Sequence, residues 1–91
     1  MFVIEDETHA EHHGEYASFD QALAELRRRA SIPWDRPPNV APCMSWRTCG
    51  RDYIVLEYDA SRLPWEELRR VPVLSISSSG VKWSESFAVS G

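Results

Sequence analysis

The sequence predicts an α+β fold in which one long helix packs on one face of a mostly antiparallel sheet of four to five strands. An apolar stripe with helical spacing follows the N-terminal segment, and several other segments alternate between apolar and polar residues as strands do. The chain has 91 residues, which is in the range of one hydrophobic core. We therefore expect a single domain over residues 1–91, with the element order β-α-β-β-α-β-β.

The long helix is predicted over about residues 18–30. Ser18 and Gln21 fit a capping box, and the arginines at 27–29 lie where the negative end of the helix dipole favours cations. Pro33 ends the helix, because proline lacks the backbone N–H that a helix interior needs. The apolar residues recur with the period of one helix face: Phe19, Ala22, Leu23, Leu26 and Ala30.

The strands are predicted from their alternation and from the turn residues between them. The first hairpin should turn at residues 49–52 and the second at residues 78–80. Between the hairpins, Pro64 near the start of a polar segment predicts a short second helix over about residues 63–70. The predicted strands are residues 2–4, 44–48, 53–58, 71–77 and 81–87.

The charge distribution argues against a nucleic-acid partner. The formal net charge is -4, and residues 1–20 contain six acidic residues and no lysine or arginine. Nine of the ten basic residues are arginine, clustered in part at residues 27–29 and 69–70. They form no continuous basic stripe, and a helix C-terminus attracts cations in any case. We therefore expect no binding to DNA or RNA.

The N-terminal segment lacks the features of a secretory signal. Its apolar stretch spans only residues 1–4, has no basic residue before it and is followed at once by acidic residues. The chain has no run of about 18 apolar residues, so no membrane-spanning helix is predicted. These features predict a soluble, cytoplasmic protein without membrane contact.

Four side chains have the chemistry of a metal or thiol site: His9, His13, Cys43 and Cys49. The two histidines would share a face if they lay on a helix, but no close cysteine pair gives the spacing of a zinc finger. Together with His12 and the acidic residues around them, His9 and His13 fit an exposed loop or helical turn. If residues 43–49 form a strand, its ends lie about 20 Å apart, beyond the roughly 7 Å that a disulfide permits. We therefore expect two reduced thiols and no cofactor.

The proline-rich segment at residues 32–42 and the hairpin after it are the predicted binding site. Tryptophan, methionine and arginine are enriched at protein interfaces, and proline lowers the entropy cost of ordering a loop. We predict a noncatalytic protein-binding domain that acts through residues 34–51, as an inhibitor, an immunity or antitoxin-like partner, or an accessory subunit. Its contact residues would be Trp34, Asp35, Arg36, Asn39, Met44, Trp46, Arg47 and Arg51.

The same residue types are consistent with other interpretations. Trp34 and Trp46 could instead cover one end of a thin core. The chain could be a small metal- or thiol-dependent enzyme built on the histidines and cysteines named above. It could also bind a small anion between helix and sheet, through Arg47 or Arg51. An exposed sheet edge would permit a homodimer.

Overall fold

A computed structural model of the protein describes residues 1–41 and 50–84. In this part of the chain, five antiparallel strands form one sheet, in the spatial order β2-β1-β3-β4-β5, and one helix packs on it. The helix is too short and too polar to cross a membrane. The elements in chain order are β1 Phe2–Asp6, β2 Glu11–Tyr16, α1 Phe19–Ala30, β3 Gly50–Asp59, β4 Glu66–Ser77 and β5 Gly80–Trp83.

The predicted α+β class and the long helix are confirmed. The Ser18 side chain caps α1 by accepting a hydrogen bond from the backbone N–H of Gln21 at 3.1 Å. The Gln21 side chain in turn accepts from the backbone N–H of Ala17 at 3.1 Å, so the capping-box residues act as the sequence indicated. At the other end, the backbone N–H of Ser31 donates to the carbonyl of Arg28.

The predicted helix over residues 63–70 is wrong, because β4 begins at Glu66 and pairs with the end of β3. Among residues 66–70 only Leu68 is apolar, so a helix over them would have had little apolar surface to bury. The strand pairing places Arg69 opposite Glu57, where the two side chains form an ion pair at 3.3 Å. Non-local pairing therefore overrides the helical propensity of this charged segment.

β2 is a strand that the sequence analysis did not predict. It contains His12 and His13, which were expected in a loop or helical turn, and it pairs with β1 on one side. Among the described residues it is an edge strand. Its sequence, EHHGEY, does not alternate between apolar and polar residues, so it carries no strand signal. Over residues 1–41 and 50–84 the order is therefore β-β-α-β-β-β.

The turn predicted at residues 49–52 is also wrong where it is described, because Gly50 already pairs with Ser77 in the sheet. Any side chain at position 50 would collide with the Ile76 carbonyl, so this glycine permits close strand packing instead of a turn. The second hairpin is confirmed in its described part, since β4 and β5 pair around residues 78–79. The predicted strand at 44–48 lies outside the described residues.

Two apolar clusters lie on opposite faces of the sheet. Ile4 belongs to the cluster beneath α1, and its neighbour Val3 belongs to the cluster on the other face, as strand alternation requires. α1 packs over β1, β2 and β3. On the same face, Trp34 packs against the core from the loop after the helix. The end of α1 and this loop therefore lie close to the β4–β5 hairpin.

Candidate functional site

A cluster of polar side chains lies between the C-terminal end of α1 and the sheet. Strand alternation places Asp6 on the same face as Ile4, and Arg51 and Tyr53 on the same face as Val55. We call this group the polar cluster. Its members are Asp6, Glu11, His13, Arg29, Asn39, Arg51 and Tyr53.

Asp6 is fully buried at the end of β1, where its carboxylate accepts four hydrogen bonds. Burial alone would raise the pKa of Asp6, but the hydrogen bonds from Arg51, from the Asp52 backbone and from His9 together hold it below its usual value. The carboxylate is therefore ionised and needs its partners. The donors are Arg51 Nη1 at 2.9 Å, His9 Nδ1 at 2.6 Å, and the backbone N–H groups of Asp52 at 3.1 Å and Thr8 at 3.2 Å.

Arg51 connects three strands to the loop that follows α1. From β3, its Nη1 donates to the carboxylates of Asp6 in β1 and Glu11 in β2. Its Nη2 donates to the Val40 carbonyl at 2.8 Å. Burial would lower the pKa of Arg51, but the bonds to the two carboxylates raise it, so the guanidinium stays charged. Arg51 therefore holds the loop against the sheet.

His13 is neutral in this arrangement. The guanidinium of Arg29 has only donors, so at 3.0 Å the Nδ1 atom of His13 must accept. The proton then lies on Nε2, which faces a Glu11 carboxylate oxygen at 3.3 Å. Burial, and then the positive charges of Arg29 and Arg51, lower the pKa of His13, although the Glu11 bond opposes them. Protonation would place an N–H against the Arg29 N–H.

We therefore expect the stability to fall as the pH drops below the usual histidine pKa of about 6.5. The unfolded chain takes up a proton at His13 there, whereas the folded chain resists it, so the unfolded state gains protons first. The expected slope is at most about 1.4 kcal/mol per pH unit. Urea unfolding between about pH 7.5 and pH 5 measures it.

Two variants distinguish the pH dependence due to His13 from that of other ionisable groups. His13→Gln should remove the dependence in that range, whereas His12→Gln should retain it, because the His12 side chain is 57% exposed. The ion pairs of Glu25 with Arg28 and Arg29 lower its pKa from 4.5 to about 2, so its own effect on stability falls mainly below pH 4.5, outside this range. A profile unchanged by His13→Gln would contradict the neutral assignment.

Asn39 anchors the loop to the helix end and to the sheet. Its buried side-chain amide donates to the carbonyl of Arg29 at 2.9 Å and to that of Ile32 at 2.8 Å. Its side-chain oxygen accepts from the Tyr53 hydroxyl at 3.0 Å. The Arg29 carbonyl, in the last turn of α1, thereby gains a second donor beside the backbone N–H of Ile32, which bonds to it at 3.0 Å. Because these partners lie on α1, the loop and β3, Asn39 fixes the path of the loop.

This loop and the β4–β5 hairpin enclose a groove of about 300 Å³. Trp34 forms part of its wall and also packs against the core, so one side of the indole is fixed. Val81, on the opposite wall, is 42% exposed. We call this feature the hairpin groove. Its lining carries no charged side chain and combines apolar with polar groups: Ala30, Ser31, Ile32, Pro33, Trp34, Ile76, Ser77, Ser78, Gly80 and Val81.

Three of the predicted contact residues lie beside one another on the loop. Trp34 lines the hairpin groove, and Asp35 and Arg36 next to it are exposed. Asn39 and Arg51 are buried and bond within the protein, so they support the loop and are removed from the proposed contact surface. The remaining three lie outside the described residues and stay predictions: Met44, Trp46 and Arg47.

The two histidines that have the chemistry of metal ligands make other contacts. His9 lies in the turn between β1 and β2 and bonds to Asp6, whereas His13 lies within β2, so the two do not share a helix face. In the described ranges, no three histidine, cysteine, aspartate or glutamate side chains group to hold a metal ion. Cys43 and Cys49 lie outside those ranges. As an anion ligand, Arg51 is a poor candidate, because two carboxylates already occupy its guanidinium.

The roles of Asp6, Glu11 and Tyr53 in the polar cluster were not predicted from the sequence. A signal was present, because Phe2, Ile4 and Asp6 share the period of one strand face, as do Arg51, Tyr53 and Val55. A carboxylate and a guanidinium that continue two apolar faces can form a buried ion pair. Family models, curated proteins and solved structures offer no match to this chain.

Proposed function

We propose that this chain is a noncatalytic protein-binding domain whose contact surface is the hairpin groove with its rim residues Asp35 and Arg36. The single observation that carries the proposal is an uncharged groove with a partly exposed tryptophan in its wall, next to a loop that the polar cluster holds in place. Interfaces concentrate their binding energy in such aromatic residues when they are surrounded by apolar contacts and a polar rim.

The anchoring of the loop supports this proposal. Hydrogen bonds within the loop run from Arg36 N–H to the Pro33 carbonyl, and from Asn39 and Val40 N–H to the Arg36 carbonyl. The polar cluster then holds the loop through Asn39 and through the bond from Arg51 to Val40. A surface that is already ordered loses little conformational entropy on binding, so more of the contact energy becomes affinity.

Among roles for such a domain, an inhibitor, an immunity or antitoxin-like partner and an accessory subunit all use one rigid contact surface. We propose this group of roles for the chain, acting in the cytoplasm. In each of them, binding depends on the groove and requires no chemistry from the histidines or cysteines.

The expected result is that Trp34→Ala loses a bound partner while the fold persists. Removing a central interface tryptophan costs about 2–4 kcal/mol, which is a loss of roughly 30-fold or more in affinity. Tagged wild-type and variant proteins are isolated from the source cells, and the partner is then titrated against each one by calorimetry. Far-UV circular dichroism checks the fold.

Trp65→Ala is the matched control, because Trp65 packs with Tyr58 on the other face of the sheet. It should keep the partner at wild-type affinity. If Trp34→Ala retains full affinity, or if both tryptophan variants lose the partner equally, then the hairpin groove is not the contact surface.

A further inference from the structure

We propose that the partner presents an extended segment, with apolar and acidic residues in alternation, which adds a strand to the outer edge of β5 and fills the hairpin groove. This inference rests on the proposed function and specifies the chemistry of the partner. It depends on three features of the described residues: the orientation of the β5 backbone, the position of Val81, and the charges around the groove.

The backbone of β5 offers hydrogen-bonding groups along its outer edge. In the described residues β5 ends the sheet, with β4 on its inner side. The N–H of Ser84 donates to the Val73 carbonyl at 2.7 Å, and in an antiparallel ladder every second residue faces the same neighbour. Lys82 therefore faces β4 with its backbone groups. Val81 and Trp83 direct theirs outward, where an added strand can pair with them.

The hairpin groove lies directly beside this edge. Val81 lines the groove together with Ile76, its cross-strand partner in β4. A strand laid along the outer edge of β5 would carry one side chain next to Val81 on the same face. That side chain would enter the groove between the hairpin and Trp34. An apolar residue fits there, because the ten lining residues carry no charge.

The positive charges on β5 and beside the hairpin groove favour an acidic partner. Lys82 is exposed on the opposite face of β5, and Arg27 lies one helical turn before Ala30 in the groove wall. Arg36 follows Trp34 along the loop and is also exposed. Within residues 1–41 and 50–84, no carboxylate lies in ion-pair contact with these three cations. Asp35 is the one acidic residue in this stretch of the loop.

Together these features define a sequence pattern for the partner. Residues opposite Val81 and Trp83 should be apolar, because both side chains lie on the groove face of β5. The residue between them should be acidic, because it lies opposite Lys82 on the other face. Cross-strand pairs of opposite charge contribute about 0.2–1 kcal/mol each, while backbone pairing supplies the sequence-independent part of the affinity.

A random peptide library displayed on phage tests this inference with the whole chain as bait. The expected result is enrichment of peptides in which apolar residues alternate with aspartate or glutamate. A synthetic copy of one enriched peptide should lose roughly fivefold in affinity against Lys82→Glu, and a copy with lysine for each acidic residue should gain against that variant. N-methylation of alternate peptide amides should abolish binding, because it removes the donors that pair with β5.

The outcomes separate the two proposals. Peptides that need Trp34 but show helical spacing, or no acidic preference, would overturn the strand inference and leave the groove as a binding site. A lack of any peptide that depends on Trp34 would count against both proposals. If Lys82→Glu changes nothing, this lysine only protects the edge from aggregation, and the inference fails. A dimer in sedimentation that Val81→Asp dissociates would identify a second copy of the chain as the occupant and overturn it as well.

Discussion

Replacing Arg51 by methionine should lower the free energy of unfolding by about 3–5 kcal/mol. The substitution keeps most of the apolar stem but removes the charge that compensates Asp6, whose side chain is 0% exposed. A buried carboxylate without its cation is costly, because no water replaces the lost partner. The Val40 carbonyl loses its donor at the same time, so the loop beside the groove loses an anchor. Urea unfolding at neutral pH measures the loss.

The controls for this variant use an exposed ion pair and a second substitution. Arg28→Met breaks the pair with Glu25, but the Arg28 side chain is 58% exposed and should matter far less. Adding Asp6→Asn to Arg51→Met should restore part of the stability, because the uncompensated charge is gone and the amide oxygen can still accept from the Asp52 backbone. An Arg51→Met loss no larger than that of Arg28→Met would contradict the buried ion pair.

Asn39→Ala should destabilise the protein by about 2–3 kcal/mol. It removes the Asn39 amide bonds to the carbonyls of Arg29 and Ile32. It also removes the acceptor of the 3.0 Å bond from the Tyr53 hydroxyl, which then keeps only the 3.4 Å bond to the Pro38 carbonyl. Because the loop is no longer held to the helix end, the affinity for a partner should fall in the fraction that remains folded. Chemical unfolding gives the first effect, and titration with the partner gives the second.

Tyr53→Phe is the graded comparison for Asn39→Ala. It removes the hydroxyl bonds to Asn39 at 3.0 Å and to the Pro38 carbonyl at 3.4 Å, so we expect a loss of about 1 kcal/mol. The ring contacts to His13 and Arg29 are retained. If Asn39→Ala costs no more than Tyr53→Phe, the two backbone bonds of the Asn39 amide do not hold the helix end.

Features of the fold with local signals could be predicted from the sequence. Ser18 and Gln21 mark the start of α1 within a few residues, and the apolar stripe identifies its buried face. The turn between β4 and β5 is likewise a local feature. In contrast, the position of Pro64 favoured a helix over residues 63–70, and only the pairing with the end of β3 makes residues 66–70 a strand.

The polar cluster could not be predicted in the same way, because its contacts join distant parts of the chain. Asp6 and Arg51 are 45 residues apart, and sequence reasoning places charged residues at the surface by default. Arg51 and Asn39 were assigned to a contact surface on their residue type. Their burial depends on strand pairing and on the loop path, which neither residue signals by itself.

The role of Trp34 could be predicted in part from the sequence. Its residue type and its position among prolines indicated a protein-binding site. Its packing against the core agrees with the alternative interpretation, in which it covers one end of a thin core. Both interpretations apply to the same side chain, because the indole packs against the core and also lines the hairpin groove. Core packing is what fixes the side chain as a contact point.

Site-specific photo-crosslinking measures the proposed contact most directly. A benzophenone amino acid is placed at position 81, on the wall of the hairpin groove, and at position 24, on the exposed side of α1. We expect irradiation in the source cells to join a partner protein to the chain from position 81 and not from position 24. Adducts from position 24 alone, or none from position 81 while a partner still binds, would contradict the groove as the site of contact.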